Sequence, residues 1–523
     1  MNKKLLSAAL VVTVISSVGK ILGLVRESAL ASYFGMSRDT DAFKIAFSIP
    51  DILVSILCVS ILQVFVPIYT DILKEKKPER TKKFLDTIYT FVGLAAIVMA
   101  SLGIIFCRQL INVIAPGFES ETINKTVILA FIILPGTFFY VMGNLTASYL
   151  QIHGRFIVSS LIWFSYNVCI IVSLVFFSGF GIKCVAAGAL VGLVGMLLIQ
   201  LPSLKKEGFS YNFSLDFRDK GLRQIGISIV PVVIASAFSQ IYNIINRMMA
   251  SGLDAGSISA MDFAYKVAML VYGVFVVSLV TVIYPSMADK SDNSEEFKKN
   301  ISSNLSIGGI IVLPLVTLVY ILRVPVIRVL FQRGSFSEAD TAITAGILGF
   351  TVFGIVGITY REILNRAFYS LKDTKTPMIN GIIAITLNII LNLSLVRAMG
   401  INGLALGTAI SSFISAGMLF LRLNNKIGGI KQGVISDCFI KPLFASMIMG
   451  AVILLSDSFL KSFINTQEGL VISLIRMSLY SMFGVLVYIF VILQFNIAEV
   501  NLFKEKLLTK LNNKGYLLGV KND

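Results

Sequence analysis

Charged side chains inside long apolar stretches are the residues of this chain best placed to do chemistry. The first stretch carries Lys20, Arg26 and Glu27, with Lys20, Gly23 and Glu27 on one helical face at i, i+3 and i+7. A charge in the middle of a bilayer is costly unless it faces a water-filled cavity or a partner. Arginine offers phosphate a bidentate fork and lysine offers a point charge, so these cations indicate an anionic ligand.

More charged residues interrupt the second, seventh and eighth apolar stretches: Lys44, Asp51, Arg247, Asp262 and Lys266. Two structural interpretations that involve no ligand are alternatives to ligand binding. A long cationic side chain can reach the membrane interface, and Asp262 with Lys266 has the i, i+4 spacing of a local ion pair. A third charged group, Arg361, Glu362 and Arg366, is expected at the cytoplasmic interface of the tenth stretch.

A second candidate site consists of neutral oxygen ligands for a cation such as Na⁺, from Asn246, Asn388, Asn392 and Thr408. The alternative is that these residues form hydrogen bonds between helices. No GxxxxGK[ST] motif occurs, and His153 is the only histidine. The sequence therefore predicts no ATP hydrolysis of that type, no metal site, no catalytic residue and no bound cofactor. Na⁺ or H⁺ coupling, or the membrane potential, would supply the energy.

The apolar stretches themselves predict an all-α polytopic membrane protein. The 523 residues are 56% hydrophobic and 14% charged, and the mean hydropathy is +0.84. About fourteen runs are long enough to cross a hydrocarbon core of about 30 Å. The distribution of Lys and Arg among the loops places both termini in the cytoplasm. The net charge of +16 is therefore attributed to the membrane and not to nucleic acid.

An internal repeat divides the predicted helices. Asp41-Ala42-Phe43, Pro67 and Asp71 recur as Asp262-Phe263-Ala264, Pro285 and Asp289. The repeat predicts two six-helix lobes, over 1–223 and 224–436, in parallel orientation. Residues 437–523 would add spans 13 and 14 and a basic cytoplasmic tail. Transporters built from such repeats bind their substrate near the bilayer midplane and expose it to each side in turn.

Several motifs together resemble the MurJ/MviN family: Gly23-Leu24-Val25-Arg26-Glu27, Phe34-Gly35, Asp41-Ala42-Phe43, Ile49-Pro50, Phe65-Val66-Pro67, Gly256-Ser257-Ile258-Ser259-Ala260, Arg333-Gly334-Ser335-Phe336, Arg366-Ala367-Phe368-Tyr369 and Asp373-Thr374-Lys375-Thr376-Pro377. That family flips lipid II, the undecaprenyl-pyrophosphate-linked peptidoglycan precursor, across the bacterial inner membrane. It belongs to the multidrug/oligosaccharidyl-lipid/polysaccharide (MOP) exporter superfamily.

The resemblance implies fourteen helices, a cationic central cavity, and a groove for a polyprenyl tail along the last two helices. It also implies that the essential cations of the family correspond to Lys20, Arg26 and Lys266 of this chain. The family usually has Arg at the first and the last of these three positions. Glu27 stands where Asp is common, and Asp41 matches directly. Together with Lys44, the cation inside the second apolar stretch, these are the predicted substrate-binding residues.

One stretch departs from the family pattern. Pro50 is followed by Asp51-Ile52-Leu53-Val54-Ser55, where the family carries an arginine pair. A flippase for another polyprenyl-linked glycan, such as an O-antigen, capsule or teichoic precursor, stays open as an alternative. Cation-coupled multidrug export and a membrane-embedded glycosyltransferase are two further alternatives. The second would require paired carboxylates near a membrane face.

Overall fold

The computed structural model describes residues 3–216, 219–289, 293–430, 433–463 and 470–505, and the regular structure in these ranges is helical. The first half contains α1 (Lys3–Phe34), α2 (Arg38–Lys74), α3 (Pro78–Ile105), α4 (Cys107–Ile114), α5 (Ser120–Ile133), α6 (Gly136–Ile152), α7 (Phe156–Ser160), α8 (Ile162–Phe177), α9 (Lys183–Leu198), α10 (Leu201–Lys206) and α11 (Lys220–Ser251). The second half contains α12 (Ser257–Val271), α13 (Val277–Asp289), α14 (Ser294–Ile321), α15 (Arg323–Phe331), α16 (Glu338–Ser370), α17 (Lys375–Met399), α18 (Ile401–Lys426), α19 (Lys441–Phe463) and α20 (Leu470–Ile492).

Most of these helices are long and apolar. Within the described ranges, 11 are long and apolar enough to cross a membrane, or 12 if α5 and α6 count as one span. Helices α5 and α6 meet at an angle of 46°. Pro135 at this junction has no N–H to continue the helical ladder, which accounts for the break. The predicted all-α membrane class is confirmed.

The chain folds as two compact units. Unit 1 comprises Met1–Phe263 with Phe331–Asp340, and unit 2 comprises Ala264–Leu330 with Thr341–Asp523. Residues 506–523, which hold most of the predicted basic tail, lie outside the described residues. The division at 223 and 436, inferred from the internal repeat, stays a prediction.

The segment Phe331–Asp340 of unit 1 is packed against the end of α1. The Ser335 backbone N–H donates to the Ser32 carbonyl at 2.7 Å, and its hydroxyl donates to the Tyr33 carbonyl at 3.1 Å. Gly334 has φ +58° and directly abuts Ser32, so a side chain at this position would be strained and would clash. Phe336 is buried with its ring 5.9 Å from that of Phe263. These contacts give the Arg333-Gly334-Ser335-Phe336 motif a structural role.

In unit 2, the Asp373 motif organises the connection between α16 and α17. The Asp373 carboxylate accepts from Lys426 Nζ at 2.5 Å, from the Thr376 N–H at 3.0 Å and from the Thr376 hydroxyl at 2.9 Å. The bond from Lys426, followed by the backbone bond from Thr376, lowers the pKa of Asp373 to about 2. The motif therefore joins the start of α17 to the end of α18.

The last two helices are fastened to the rest of unit 2 by buried hydroxyl groups. Tyr488 of α20 donates to the Ile310 carbonyl of α14 at 2.8 Å. Tyr360 of α16 donates to the Cys438 carbonyl, at the turn before α19, at 2.5 Å. Met449 and Ile453 of α19 pack with Tyr488 in one apolar cluster. Spans 13 and 14 are thus integral to unit 2.

In unit 1, α8 and α9 approach closely because small residues line their contact. A β-carbon added at Gly192 would lie 2.7 Å from the Tyr166 Cα and 3.1 Å from the Tyr166 carbonyl oxygen, and backbone atoms cannot yield cheaply. Tyr166 itself carries part of the candidate site described below.

We expect Gly192→Ala to destabilise the protein by about 1–3 kcal/mol, because it overpacks this contact. Gly226→Ala on α11 is the matched control. Its β-carbon meets no atom within 4 Å, so helix propensity alone should leave stability unchanged or raise it by about 0.5–1 kcal/mol. Thermal unfolding of both variants in one detergent measures the difference. Equal unfolding temperatures would contradict the close packing of α8 on α9.

Candidate functional site

The candidate site in unit 1 is built around the carboxylate of Glu27. Glu27 is only 1% exposed, and its two oxygens accept from different cations, Oε1 from the Arg26 guanidinium and Oε2 from Lys44 Nζ. A buried charge is tolerated only when it is paired and hydrogen-bonded. One carboxylate therefore holds two cations together and ties α1 to α2.

A second carboxylate extends this arrangement to α11 and α12. Asp262 lies 3.9 Å from Lys44 Nζ and 3.9 Å from Arg247 Nη2. Arg247 Nη1 also donates to the Lys44 carbonyl at 3.4 Å. We call Arg26, Glu27, Lys44, Arg247 and Asp262 the unit-1 charge network. Its three cations against two carboxylates leave one net positive charge.

Aromatic rings cover the apolar side of the network. The Arg26 guanidinium lies 5.0 Å from the centroid of the Tyr166 ring, and Lys44 Nζ lies 5.3 Å from that of Phe263. Both rings are buried. A desolvated cation over an aromatic face gains up to about 2 kcal/mol. The exposed fractions of the Arg26, Arg247 and Asp262 side chains are 14%, 20% and 22%, so the network still has solvent-accessible charges.

The remaining predicted binding residues, Lys20, Asp41 and Lys266, are not among the five residues of this network. Lys20 is exposed on α1, and its ammonium has no ion-pair partner among the residues that the structure describes. Asp41 is 1% exposed, and its carboxylate accepts the backbone N–H groups of Gly256 and Ser259, each at 2.8 Å. Asp41 therefore caps the first turn of α12. Lys266 is exposed on α12 and belongs to unit 2.

Three of the four residues of the candidate cation site come together between α17 and α18 in unit 2. Asn388 donates to the Thr408 hydroxyl at 3.1 Å, and Asn392 donates to the Asn388 oxygen at 3.0 Å. The fourth, Asn246, is half-buried in unit 1. The Thr408 hydroxyl oxygen thus accepts a hydrogen bond between α17 and α18, and the Asn388 oxygen accepts one within α17. A cation role for the four residues stays a prediction.

The aromatic residues of the site could not be recognised from the sequence. Tyr166 and Phe263 look like ordinary core residues, and no spacing within their own helices marks them. Arg247 and Asp262 are recognisable as charges within spans, but they are not among the predicted substrate-binding residues. Their signal was present, because both sit in apolar stretches, but their common neighbour Lys44 lies about 200 residues away in sequence.

Replacing Glu27 with Gln should destabilise the protein, because Arg26 and Lys44 would then face one another without the charge between them. Losing one partner of a buried pair costs about 3–5 kcal/mol. We expect thermal unfolding at a clearly lower temperature for Glu27→Gln than for Glu27→Asp, which keeps the charge. Glu207→Gln, at a more exposed pair with Arg155, is the control and should have little effect. Comparable shifts for Glu27→Gln and Glu207→Gln would argue against this view of the network.

Comparisons with known proteins agree with this architecture. The family model described as "Lipid II flippase MurJ" matches residues 30–479, so Lys20, Arg26 and Glu27 precede the matched range. The "Probable lipid II flippase MurJ" of Buchnera aphidicola subsp. Acyrthosiphon pisum (strain APS) is 31% identical over 431 residues, 81% of this chain and 84% of that protein. The "Lipid II flippase MurJ" of Burkholderia cenocepacia is 27% identical over 440 residues, 82% of this chain and 85% of that protein.

Solved structures of similar fold agree with these sequence matches. "Lipid II flippase MurJ, inward closed conformation" aligns with a TM-score of 0.76 and 26% identity, over 95% of this chain and all of that chain. An inward-facing multidrug resistance MATE family transporter of the MOP superfamily aligns with a TM-score of 0.66 over 80% of this chain and 98% of that chain. At 15% identity the second likeness shows the fold alone. Because the family model covers most of the chain and a relative above 30% identity covers about four fifths of it, the protein belongs to the MurJ family of lipid II flippases.

Proposed function

We propose that this protein moves lipid II from the inner to the outer leaflet of the bacterial cytoplasmic membrane. The observation that carries the proposal is the unit-1 charge network, in which partly exposed cations lie within membrane-spanning helices of a MurJ family member. A translocated lipid carries its diphosphate between the polyprenyl tail and the sugar. Cations inside the membrane domain therefore meet the part of the substrate that most resists crossing the hydrocarbon.

The way in which Glu27 shares its two oxygens suits transient binding. If Arg26 turns part of its guanidinium to a phosphate, Lys44 still neutralises Glu27, so no buried carboxylate is left unpaired. Arg247 has the same relation to Asp262, which also lies near Lys44. Binding then replaces one charge-assisted hydrogen bond with another. The net affinity stays modest, which allows the headgroup to be released on the far side.

We further propose fourteen spans, with both termini in the cytoplasm. Support comes from adding α1 and α11, each 32 residues long, to the 11 apolar helices and the bent α5–α6 pair. A helix of that length is about 48 Å long and exceeds the hydrocarbon thickness. An even number of spans returns the chain to its starting side, and the loop cations place that side in the cytoplasm.

The polyprenyl tail is expected to stay in lipid along α19 and α20. Both helices expose large apolar side chains, including Leu455, Met482, Leu486 and Phe490. The headgroup crosses by alternating access, driven by the membrane potential or by coupling to Na⁺ or H⁺. No covalent bond of the substrate is broken. The binding roles of Lys20, Asp41 and Lys266 remain part of this proposal.

A related candidate is a flippase for another polyprenyl-linked glycan. The stretch Asp51-Ile52-Leu53-Val54-Ser55 favours it, because the arginine pair that the resembled family carries there is absent. Tyr140 donates to the Asp51 carboxylate at 3.2 Å. Both candidates share the polyprenyl diphosphate and differ in the glycan, so one experiment separates them.

Expression of this chain should rescue a bacterial strain depleted of its own lipid II flippase. Growth and lipid II exposure on the outer leaflet are the measurements, with the empty vector as control and membrane levels of the protein verified. Rescue supports lipid II as the substrate. Normal membrane levels without rescue would shift the assignment to another polyprenyl-linked glycan.

Within that assay, Arg26→Ala should lower the translocation rate by about tenfold or more. It removes a charge-assisted hydrogen-bond donor whose loss is worth about 1.5–3 kcal/mol. Arg26→Lys keeps the charge without the fork and should retain an intermediate rate. Arg397→Ala is the matched control, since this exposed arginine of α17 has no ion pair among the described residues. A wild-type rate in Arg26→Ala at normal membrane levels would remove Arg26 from the mechanism.

A further inference from the structure

The C-terminal third of α16 carries a second group of charges, within unit 2. Arg366 lies over the ring of Tyr284, with its guanidinium carbon 5.2 Å from the centroid. Tyr272 interacts electrostatically with Arg361, Glu362 and Arg366. Tyr369 interacts with Glu362, Arg366 and Tyr284. We call Arg361, Glu362, Arg366, Tyr272, Tyr284 and Tyr369 the α16 cluster.

The two arginines of this cluster are not held in ion pairs with other described residues. Glu362 precedes Arg366 by four residues, the spacing that favours an ion pair on a helix. Neither Arg361 nor Arg366 has an ion pair within the described part of the chain. Arg366 Nε is buried and has no hydrogen-bond partner there. A buried donor without a hydrogen-bond acceptor costs about 1–3 kcal/mol. Arg366 therefore keeps an unsatisfied donor, although Glu362 stands at the spacing of a local ion pair.

The backbone beside the cluster is irregular as well. Between α12 and α13 the chain makes one π-helical turn over Tyr272–Val276. Such turns occur frequently at functional sites, since the extra residue redirects the side chains around it. Here the turn begins at Tyr272, the residue that interacts with all three charges of α16.

We propose that Arg361 and Arg366, with the hydroxyl groups of Tyr272 and Tyr369, form an oxyanion-binding site for a carboxylate of the peptide part of the headgroup. The inference rests on the proposed function and deepens it by assigning a site to the peptide. Two guanidinium groups suit a carboxylate, which accepts from a planar fork. Glu362 leaves the cluster with one net positive charge, which matches a singly charged carboxylate better than a diphosphate.

The phosphate of a membrane phospholipid has similar oxyanion chemistry, so the experiment must separate the two sources. The full-length protein is placed in nanodiscs of phosphatidylcholine. Equilibrium binding is measured for lipid II, for lipid II whose peptide carboxylates have been converted to amides, and for phosphatidylglycerol. The variants are Arg361→Met, Arg366→Met and the double variant. Arg422→Met, an exposed position on α18 of the same unit, is the control.

The wild type and Arg422→Met should bind lipid II about tenfold more tightly than its amidated form. Each single variant should reduce that ratio, and the double variant should bring it close to one, while affinity for the amidated probe changes little. Arg26→Ala should weaken both lipid II probes together. Arg361→Met alone keeps the test decisive if Arg366→Met fails to fold, because Arg366 Nε is the buried atom of the pair.

Two results would overturn the inference: equal binding of the two lipid II probes by the wild type, or an unchanged ratio in the double variant. Loss of phosphatidylglycerol binding in that variant, with the ratio retained, would assign the cluster to a membrane phosphate instead. Failure of the proposed function looks different. In that case the wild type would bind neither lipid II probe and would not rescue the depleted strain.

Discussion

A single buried carboxylate, shared by two cations, is the interaction on which unit 1 depends. Glu27 is 1% exposed, and its oxygens are divided between Arg26 and Lys44. Without that negative charge, two cations on neighbouring helices would repel one another in a medium of low dielectric constant. With it, α1 and α2 can bring positive groups into the interior of a membrane domain and hold them in defined positions.

The same balance explains how a binding site and a stable fold coexist. Full neutralisation of the cations would leave nothing for an anion to bind, and a large excess of positive charge would destabilise the helices. The unit-1 charge network lies between these limits, with one net positive charge and some exposure at Arg26, Arg247 and Asp262. Buried rings of Tyr166 and Phe263 support the cations where no carboxylate does.

In unit 2, hydrogen bonds between neutral groups join several of the helices. The Asn388 amide joins α17 to α18 by donating to the Thr408 hydroxyl, and Asn392 donates to Asn388 within α17. Tyr488 fastens α20 through a backbone carbonyl. These bonds satisfy polar groups without introducing charge, as expected for contacts within a bilayer. Unit 2 also contains the Asp373–Lys426 ion pair. The arginines of α16 differ from it in having no ion pair in the described residues, and Arg366 Nε is buried without a hydrogen-bond partner there.

The all-helical membrane class follows from the amino-acid sequence alone, since apolar runs of that length have no other stable form in lipid. Which charges fall within spans also follows from the sequence, because that depends only on local composition. Which charges meet depends on how the helices pack: Asp262 lies near Lys44 and Arg247, and Asp41 caps α12. Packing between helices likewise places the rings of Tyr166 and Phe263 over the cations. Pairing between helices depends on their rotation and depth, which are set by packing over the whole unit, so a periodic pattern within one helix does not contain that information.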